Sequence, residues 1–593
     1  MPAVYVIETI VGIGVLVLVH EFGHFLFAKL SNVKVERFSI GFGPEIAGVT
    51  RGDTRYSLCV FPLGGYVKML GEELGSESAP DARSFLAQPF AKRALIFVAG
   101  SIFNILLGLV LFIAVFRMGI TFPAARIGAV EFDSPAHYAG LEVGDAVEEI
   151  NGRGNVDFVD LQTAAALSNP GQTLKLRVLR DGRALSVTVR PEFSRSIGMG
   201  YIGVNRYPTL EIGGFVRIDS RKSPVAAAGV PMGSVITAFN GKPMTSWFDF
   251  ERRAVANGLV PFKLTVRRGT AEQTFVITAL RNPGPLLGVF ATMSTEVTKV
   301  VEDSQAAAMG LAAGDAIVGI GDTKAADLLG LRDEIAARIA KLPPLKVIRA
   351  GKELELPWTK PPESAADFIS GFEVKPLPIV AWVQPDTPAD VLGMTRGDTI
   401  VAVDGKEVKE FTDIKAFMSE TKGDTIAVSW THNGVTLNGS FQPAFLGIVP
   451  GVQVIERKLG WFAASSLGVR KAWDFGTQVY LLIKKAFTGQ GAIAKNLSGP
   501  VGIASLSYKV AEQGFSQFLF LMAIIAVNFG IVNLLPIPVL DGGNLAILIV
   551  EKIKGSPLSA RTQAALQYTG LVIIVALFLW VTWHDIARII AGR

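Results

Sequence analysis

Cysteine is almost missing from this chain: Cys59 is the only one in 593 residues. That excludes an internal disulfide framework and any cysteine-built zinc cluster. Histidine is scarce too, with five in all: His20, His24, His137, His432 and His584. Charge is thin, since Asp, Glu, Lys and Arg together make up 18% of the chain. A mean hydropathy of +0.40 at this length points to membrane spans rather than a soluble body. The net charge is only +5, and no Lys/Arg-rich block interleaves with aromatics, so nucleic-acid binding finds no support. The length also exceeds what one hydrophobic core serves, so several domains are expected.

What is present begins with four apolar stretches: residues 4–28, 94–116, 515–540 and 566–583. Each is near the ~20 residues that cross a bilayer. The third is broken by Pro536 and Pro538, and the fourth ends in Trp580 and Trp583, which suits an aromatic belt. The first lacks a basic start and a small-residue cleavage site, so it reads as an uncleaved span. Lys29, Lys34, Arg37, Arg51, Arg55, Lys68, Arg83, Lys92 and Arg93 lie between spans one and two. Lys552, Lys554 and Arg561 lie between spans three and four. Positive-inside reasoning puts both loops in the cytoplasm, with both termini and the long insert between spans two and three outside.

The insert repeats itself. SPAHYAGLEVGDAVEEING (134–152) aligns with SPVAAAGVPMGSVITAFNG (223–241), SQAAAMGLAAGDAIVGIGD (304–322) and TPADVLGMTRGDTIVAVDG (387–405). Each unit predicts a short helix, a Gly turn, a strand and an Asn-Gly or Asp-Gly turn. The second unit has Ser234 in place of Asp, and the third ends in Gly321-Asp322 and reads as degenerate. The repeat resembles the bacterial PDZ domain in all four units; a generic small β-domain array is the plainer reading. Before span three, residues 467–487 mix apolar and basic side chains at helical spacing, including Trp473, Tyr480, Leu481, Ile483, Lys484 and Lys485. They fit either an interfacial amphipathic helix or a surface helix packed on the last repeat.

The chemistry concentrates in His20-Glu21-Phe22-Gly23-His24. Histidines at i and i+4 project from one face of a helix, where one Zn²⁺ can take both imidazoles. Glu21 is then free to act as general base on a metal-activated water. Two ordinary helix histidines in a chance pattern are the bland alternative. A carboxyl group in hydrocarbon costs a few kcal/mol, so such a group is functional by default. Catalytic zinc needs a third protein ligand, and the best candidate is Asp541, in NLLPIPVLDGG (533–543). Its prolines break the helix there, which is tolerated only where the backbone is buried or lines a wet cavity. A helix-ending turn with a solvated Asp is the competing reading.

HEFGH in the first span, NLLPIPVLDG in the third and PDZ-like units between them resemble the site-2 protease family of intramembrane zinc metalloproteases, specifically its bacterial RseP type. Phe38–Gly43 (FSIGFG), Pro62–Met69 (PLGGYVKM) and Asn496–Gly502 (NLSGPVG) belong to the same likeness. The resemblance implies that His20, His24 and Asp541 bind Zn²⁺, that Glu21 is the base, and that Asn528 and Asn533 hold substrate. It also implies that residues 35–69 form a membrane-re-entrant β-element presenting substrate as an added strand. Gly41, Gly43, Gly64 and Gly65 suit such an element and would equally suit a cytosolic hairpin, while Asn528 and Asn533 alone could be interhelical glue. Asn544 stands where the family usually has His, and four PDZ-like units stand where it commonly has two.

The fold expected is therefore a polytopic α-helical membrane protein of about four spans with a re-entrant β-element and a tandem PDZ array. Its segments are 1–30 (first span), 31–93 (re-entrant loop) and 94–117 (second span). PDZ-like units follow at 124–195, 200–281, 286–360 and 370–445, then 446–512 as amphipathic helix and linker. Residues 515–543 form the broken third span, 544–564 a cytoplasmic loop, and 565–593 the fourth span with the C-terminus. The expected function is regulated intramembrane proteolysis in a bacterial inner membrane, with the active site toward the cytoplasm. Expected partners are the lipid bilayer and single-span protein substrates already cut once, such as anti-sigma factors, or remnant signal peptides. A catalytically inactive scaffold tethering partners through its PDZ array is the rival from another class. Oligomeric state cannot be read from the sequence.

Overall fold

The computed structural model describes residues 3–72, 81–169, 171–194, 199–218, 220–302, 304–339, 341–362, 365–487, 499–556 and 558–590. The chain divides into two compact units: Met1–Phe122 with Arg195–Met199 and Ile455–Arg593, and Pro123–Ser194 with Gly200–Val454.

The first unit is helical. Its helices are α1 (Ala3–Leu30), α2 (Phe90–Met118), α3 (Trp461–Phe487), α4 (Pro500–Gln513), α5 (Phe515–Asn533), α6 (Asp541–Lys554) and α7 (Ala560–Ile590). Among the described residues, four of them, α1, α2, α5 and α7, are long and apolar enough to cross a membrane. Small residues let them approach closely. A Cβ on Gly23 of α1 would lie 2.6 Å from the Ala99 carbonyl of α2, and one on Gly108 of α2 would lie 2.6 Å from Val527 of α5. Residues 544–554, expected in a loop, instead continue α6. Asp541 in its first turn and Lys552 and Lys554 in its last suit the helix dipole, and Gly555 at φ 76° ends it. Helix α3 starts six residues earlier than the spacing suggested and packs on α2 and α5: Phe475 stacks on Phe112 at 5.8 Å. Its side chains past Leu481, among them Ile483, Lys484 and Lys485, lie outside the described residues, as do Asn496, Leu497 and Ser498 of the NLSGPVG motif.

Between α1 and α2 run strands β1 (Val35–Arg51) and β2 (Thr54–Met69), joined at Gly52-Asp53 with Gly52 at φ 62°. They fold into a small sheet. Arg37–Ile40 pair with Gly65–Lys68 and also face Arg55–Leu58, while Ala47–Arg51 pair with Thr54–Leu58. Gly65–Lys68 is thus an edge segment.

The second unit holds four modules, each with its own core. Buried anchors are Phe158, Leu161 and Leu176 in the first, Ile236, Phe250 and Leu264 in the second, Ile320, Leu331 and Val347 in the third, and Ile400, Val403 and Val428 in the fourth. In three modules the Asp after the Gly turn is buried and paired with a side chain: Asp145 and Asp315 form ion pairs with Arg180 and Arg349, and Asp398 is hydrogen-bonded with His432. Each also accepts a backbone N–H three residues earlier, which holds the turn between short helix and strand. In the second module Ser234 takes that place, and its buried hydroxyl has no hydrogen-bond partner among the described residues. The third module keeps the strand–turn–strand despite its altered ending, because Gly321 at φ 55° makes the turn that Asn or Asp makes elsewhere.

The modules are not strung end to end. Pro208–Phe215 opens the second module, and its partner strand is Ile448–Val452, which the sequence places in a linker. The third and fourth modules share two long strands, Val289–Val300 and Phe372–Val383, paired along their lengths. This pair is inserted into the second module, and Leu280-Arg281 and Ala444-Phe445 pair across the insertion point.

Candidate metal centre

His20 and His24 stand one turn apart on α1, with ring centroids 4.8 Å apart. Asp541, the first residue of α6, reaches both. His20 Nε2 lies 3.3 Å from its Oδ2, His24 Nε2 lies 3.5 Å from its Oδ1, and the two Nε2 atoms are 3.1 Å apart. A tetrahedral Zn²⁺ with bonds of about 2.0–2.1 Å separates its ligand atoms by about 3.3 Å. The two N···O separations end on different carboxylate oxygens; with one oxygen counted for Asp541, the three ligand atoms lie within 4.8 Å of one another, close enough for one ion to draw them together. The fit extends to ligand chemistry: two imidazoles and one carboxylate leave a fourth position open.

The surroundings fix each ring. His24 Nδ1 lies 2.8 Å from the Ile96 carbonyl, which only an Nδ1–H can satisfy, so the neutral ring has its lone pair on Nε2, toward the centre. His20 Nδ1 lies 3.3 Å from the Asn104 amide nitrogen, while the Asn104 oxygen is buried without a partner among the described residues. Turning that amide over lets its oxygen accept Nδ1–H, satisfying both groups and freeing His20 Nε2. Ser101 donates to Asp541 Oδ2 at 3.2 Å. Gly100 lies against both rings: a Cβ there would sit 2.4 Å from His24 Nε2 and 2.8 Å from His20 Cε1. Gly100, Ser101 and Asn104 were not found from the sequence. The only available signal was a polar pair and a glycine within an otherwise apolar span.

The loop before Asp541 is tight. Gly542 and Gly543 do not adopt positive φ; they are small because the Leu534 and Ile537 carbonyls pass 2.2 and 2.1 Å from where a Cβ would be. The positive φ falls instead on Val539, at 84°, a costly conformation for a β-branched residue.

Glu21 points toward the sheet. A Cβ on Gly65 of the edge segment would lie 3.4 Å from Glu21 Cγ. Gly41 and Gly43 hold φ of 87° and 88° where β1 crosses Phe61, and Gly64 holds 136° against Phe42. Asn528 sits one residue before Phe529, whose ring is 5.9 Å from that of His20, and the Asn528 side-chain oxygen is buried without a partner among the described residues. Asn533 ends α5, just before the loop that leads to Asp541.

The model of peptidase family M50 matches residues 8–577. The chain belongs to that family. It is a metalloprotease of the RseP type. Protease RseP of Yersinia pestis is 27% identical, with 98% of each chain covered. Regulator of sigma-E protease RseP of Escherichia coli is 25% identical over the same shares. A Thermotoga maritima relative named "Putative zinc metalloprotease" is 26% identical over 99% of each chain. Among solved structures, the PDZ domain of an SdrC-like protein from Listeria monocytogenes matches 14% of this chain and 90% of its own, at 20% identity and a TM-score of 0.13.

Proposed function

We propose that this M50 protease hydrolyses peptide bonds within transmembrane segments, with His20, His24 and Asp541 holding Zn²⁺ and Glu21 as the general base. The observation that carries the reading is the convergence of His20, His24 and Asp541, whose ligand atoms lie within 4.8 Å of one another, beside a Glu21 carboxylate that faces the edge segment Gly65–Lys68. A bound Zn²⁺ supplies Lewis acidity, polarising the scissile carbonyl and acidifying water. Glu21 takes the proton of the attacking water as its oxygen joins the carbonyl carbon. It then passes that proton to the amide nitrogen as the C–N bond breaks.

A membrane-spanning helix satisfies its own peptide groups, so cleavage requires local unwinding. Gly65–Lys68 is the edge that can receive the unwound segment as an added strand beside Glu21, which supports a re-entrant role for residues 35–69. Exposed Phe42, Ile46, Val49, Val60 and Phe61 on this sheet suit contact with lipid. Asn528 and Asn533 are assigned to hold the substrate. The four modules are read as PDZ units that control access, admitting single-span proteins already trimmed outside, with the active site toward the cytoplasm of a bacterial inner membrane.

The test is Glu21→Gln in the full chain, co-expressed with a single-span substrate trimmed outside the membrane. Cleavage should fall by about 10²-fold or more while zinc content is kept. Undiminished processing would refute the proposal and leave the scaffold reading.

A further inference from the structure

At the end of α2 remote from Phe90, a cavity of about 690 Å³ is lined by Val110, Ile113, Ala114, Arg117, Lys458 and Trp461, with Met118 beside them. Its wall is an apolar face of a membrane-crossing helix, and its rim carries two cations. Arg117 Nη1 makes a long 3.5 Å hydrogen bond to the Leu459 carbonyl, and the guanidinium lies 5.4 Å from the Trp461 ring. Its Nε is buried with no hydrogen-bond partner among the described residues. Lys458 is exposed. Beside this rim α3 presents Trp461 at 68% and Phe462 at 91% exposure, an arrangement that water disfavours and a bilayer interface favours.

These features ask for one kind of occupant. A soluble anion would leave the apolar wall wet, and an apolar chain alone would leave the rim charges of Arg117 and Lys458 unmatched. We propose that the groove binds one anionic phospholipid, its phosphate on Arg117 and Lys458 and an acyl chain along Val110, Ile113 and Ala114. The inference stands apart from the proteolytic reading, since none of these residues touches the metal centre.

Native mass spectrometry of the full-length protein, with phosphatidylglycerol and phosphatidylcholine as probes, tests it. The wild type should retain one phosphatidylglycerol in preference to phosphatidylcholine. Each surface cation contributes roughly fivefold to anionic-lipid affinity, so Arg117→Gln with Lys458→Gln should lose roughly 25-fold. Ala114→Trp, which fills the wall and keeps both cations, should lose the lipid as well. Monodisperse elution establishes that each variant is folded. Equal retention of the two lipids by the wild type, or unchanged retention in either variant, overturns the proposal. So does an equal loss in Lys552→Gln with Lys554→Gln, which would make overall charge the cause. Displacement by inorganic phosphate at millimolar concentration would assign the cations to a free anion and overturn the lipid.

Discussion

Gly100→Ala adds one carbon where the metal centre has no room for it. The new Cβ would stand 2.4 Å from His24 Nε2 and 2.8 Å from His20 Cε1, against ordinary contacts of 3.4 Å and more. One imidazole must therefore retreat by about 1 Å, whereas zinc bonds tolerate about 0.2 Å. Disturbing only the partners behind the ligands typically costs 10–100-fold in affinity. Displacing a ligand itself should cost at least about 100-fold, close to 3 kcal/mol. Helix propensity runs the other way, since Ala in a helix interior gains about 1 kcal/mol over Gly. Zinc should thus be lost without a matching loss of fold. The assay is zinc content of the purified full-length protein, with affinity measured by chelator competition, beside thermal melting. Gly108→Ala is the control: its Cβ would strike Val527 and the Ala523 carbonyl, far from the histidines, so it should lower the melting temperature and keep zinc. If Gly100→Ala binds zinc within threefold of the wild type, the three residues do not form the site as read here.

Asn104→Ala should weaken zinc binding by about 10–100-fold, measured by the same competition, because it removes the partner that orients His20. Arg332→Met should destabilise the second unit by about 2 kcal/mol at pH 7.5, a figure below the usual cost of breaking a buried ion pair because Asp133 is half exposed. Burial already raises the Glu192 carboxyl above its ordinary pKa and Arg332 opposes that, so without Arg332 it should rise further. A raised carboxyl favours folding at low pH and loses that contribution as pH climbs, so the deficit should shrink in melts at pH 5. Replacing residues 283–442 by Asn-Gly should leave the second module folded, since Leu280-Arg281 and Ala444-Phe445 already pair across the gap. Aggregation of the shortened protein on size exclusion would refute that topology.

The spans were legible because hydrocarbon imposes a length and a composition that few other constraints imitate. The His pair was legible for a similar reason, since a four-residue spacing acts through the helix that carries it. Asn104 and Ser101 were not, because their meaning comes from α2 crossing α1 and facing α6, which no local pattern encodes. The order of strands in the second unit was hidden too, yet it had a signal. Gly203, Gly371, Gly447 and Gly288 each press against the residue that opens a short helix: a Cβ on them would lie 2.2, 3.0, 2.8 and 2.1 Å from atoms of Ser134, Ser304, Ser223 and Thr387. In three of the four, the Ser hydroxyl bonds the backbone of that loop. The motifs Ile202-Gly203-Val204, Leu446-Gly447-Ile448 and Leu287-Gly288-Val289 repeat in the sequence. Their assignment to modules could not be read there, because the partner of the second lies far earlier in the chain and that of the fourth follows it.

That assignment bears on why four modules coexist with a catalytic unit matched along almost its whole length by RseP relatives. An extra pair strung at the end of the first two would need new closing strands and a new exit path. Inserted at Leu280–Phe445, it needs neither, because the third and fourth modules close each other through Val289–Val300 and Phe372–Val383. The second module still closes with its own Ile448–Val452. The insertion point joins directly to the Leu446-Gly447 loop that leads into Ile448–Val452, beside a cavity of about 250 Å³ lined by Trp247, Phe250, Ala254 and Leu446. The inserted pair also meets the second module directly where Asp390 lies 3.6 Å from Arg252. Structural routes for any role of the added modules in admitting substrate include the Leu446-Gly447 loop, Asp390 with Arg252, and Arg332 with Asp133 and Glu192.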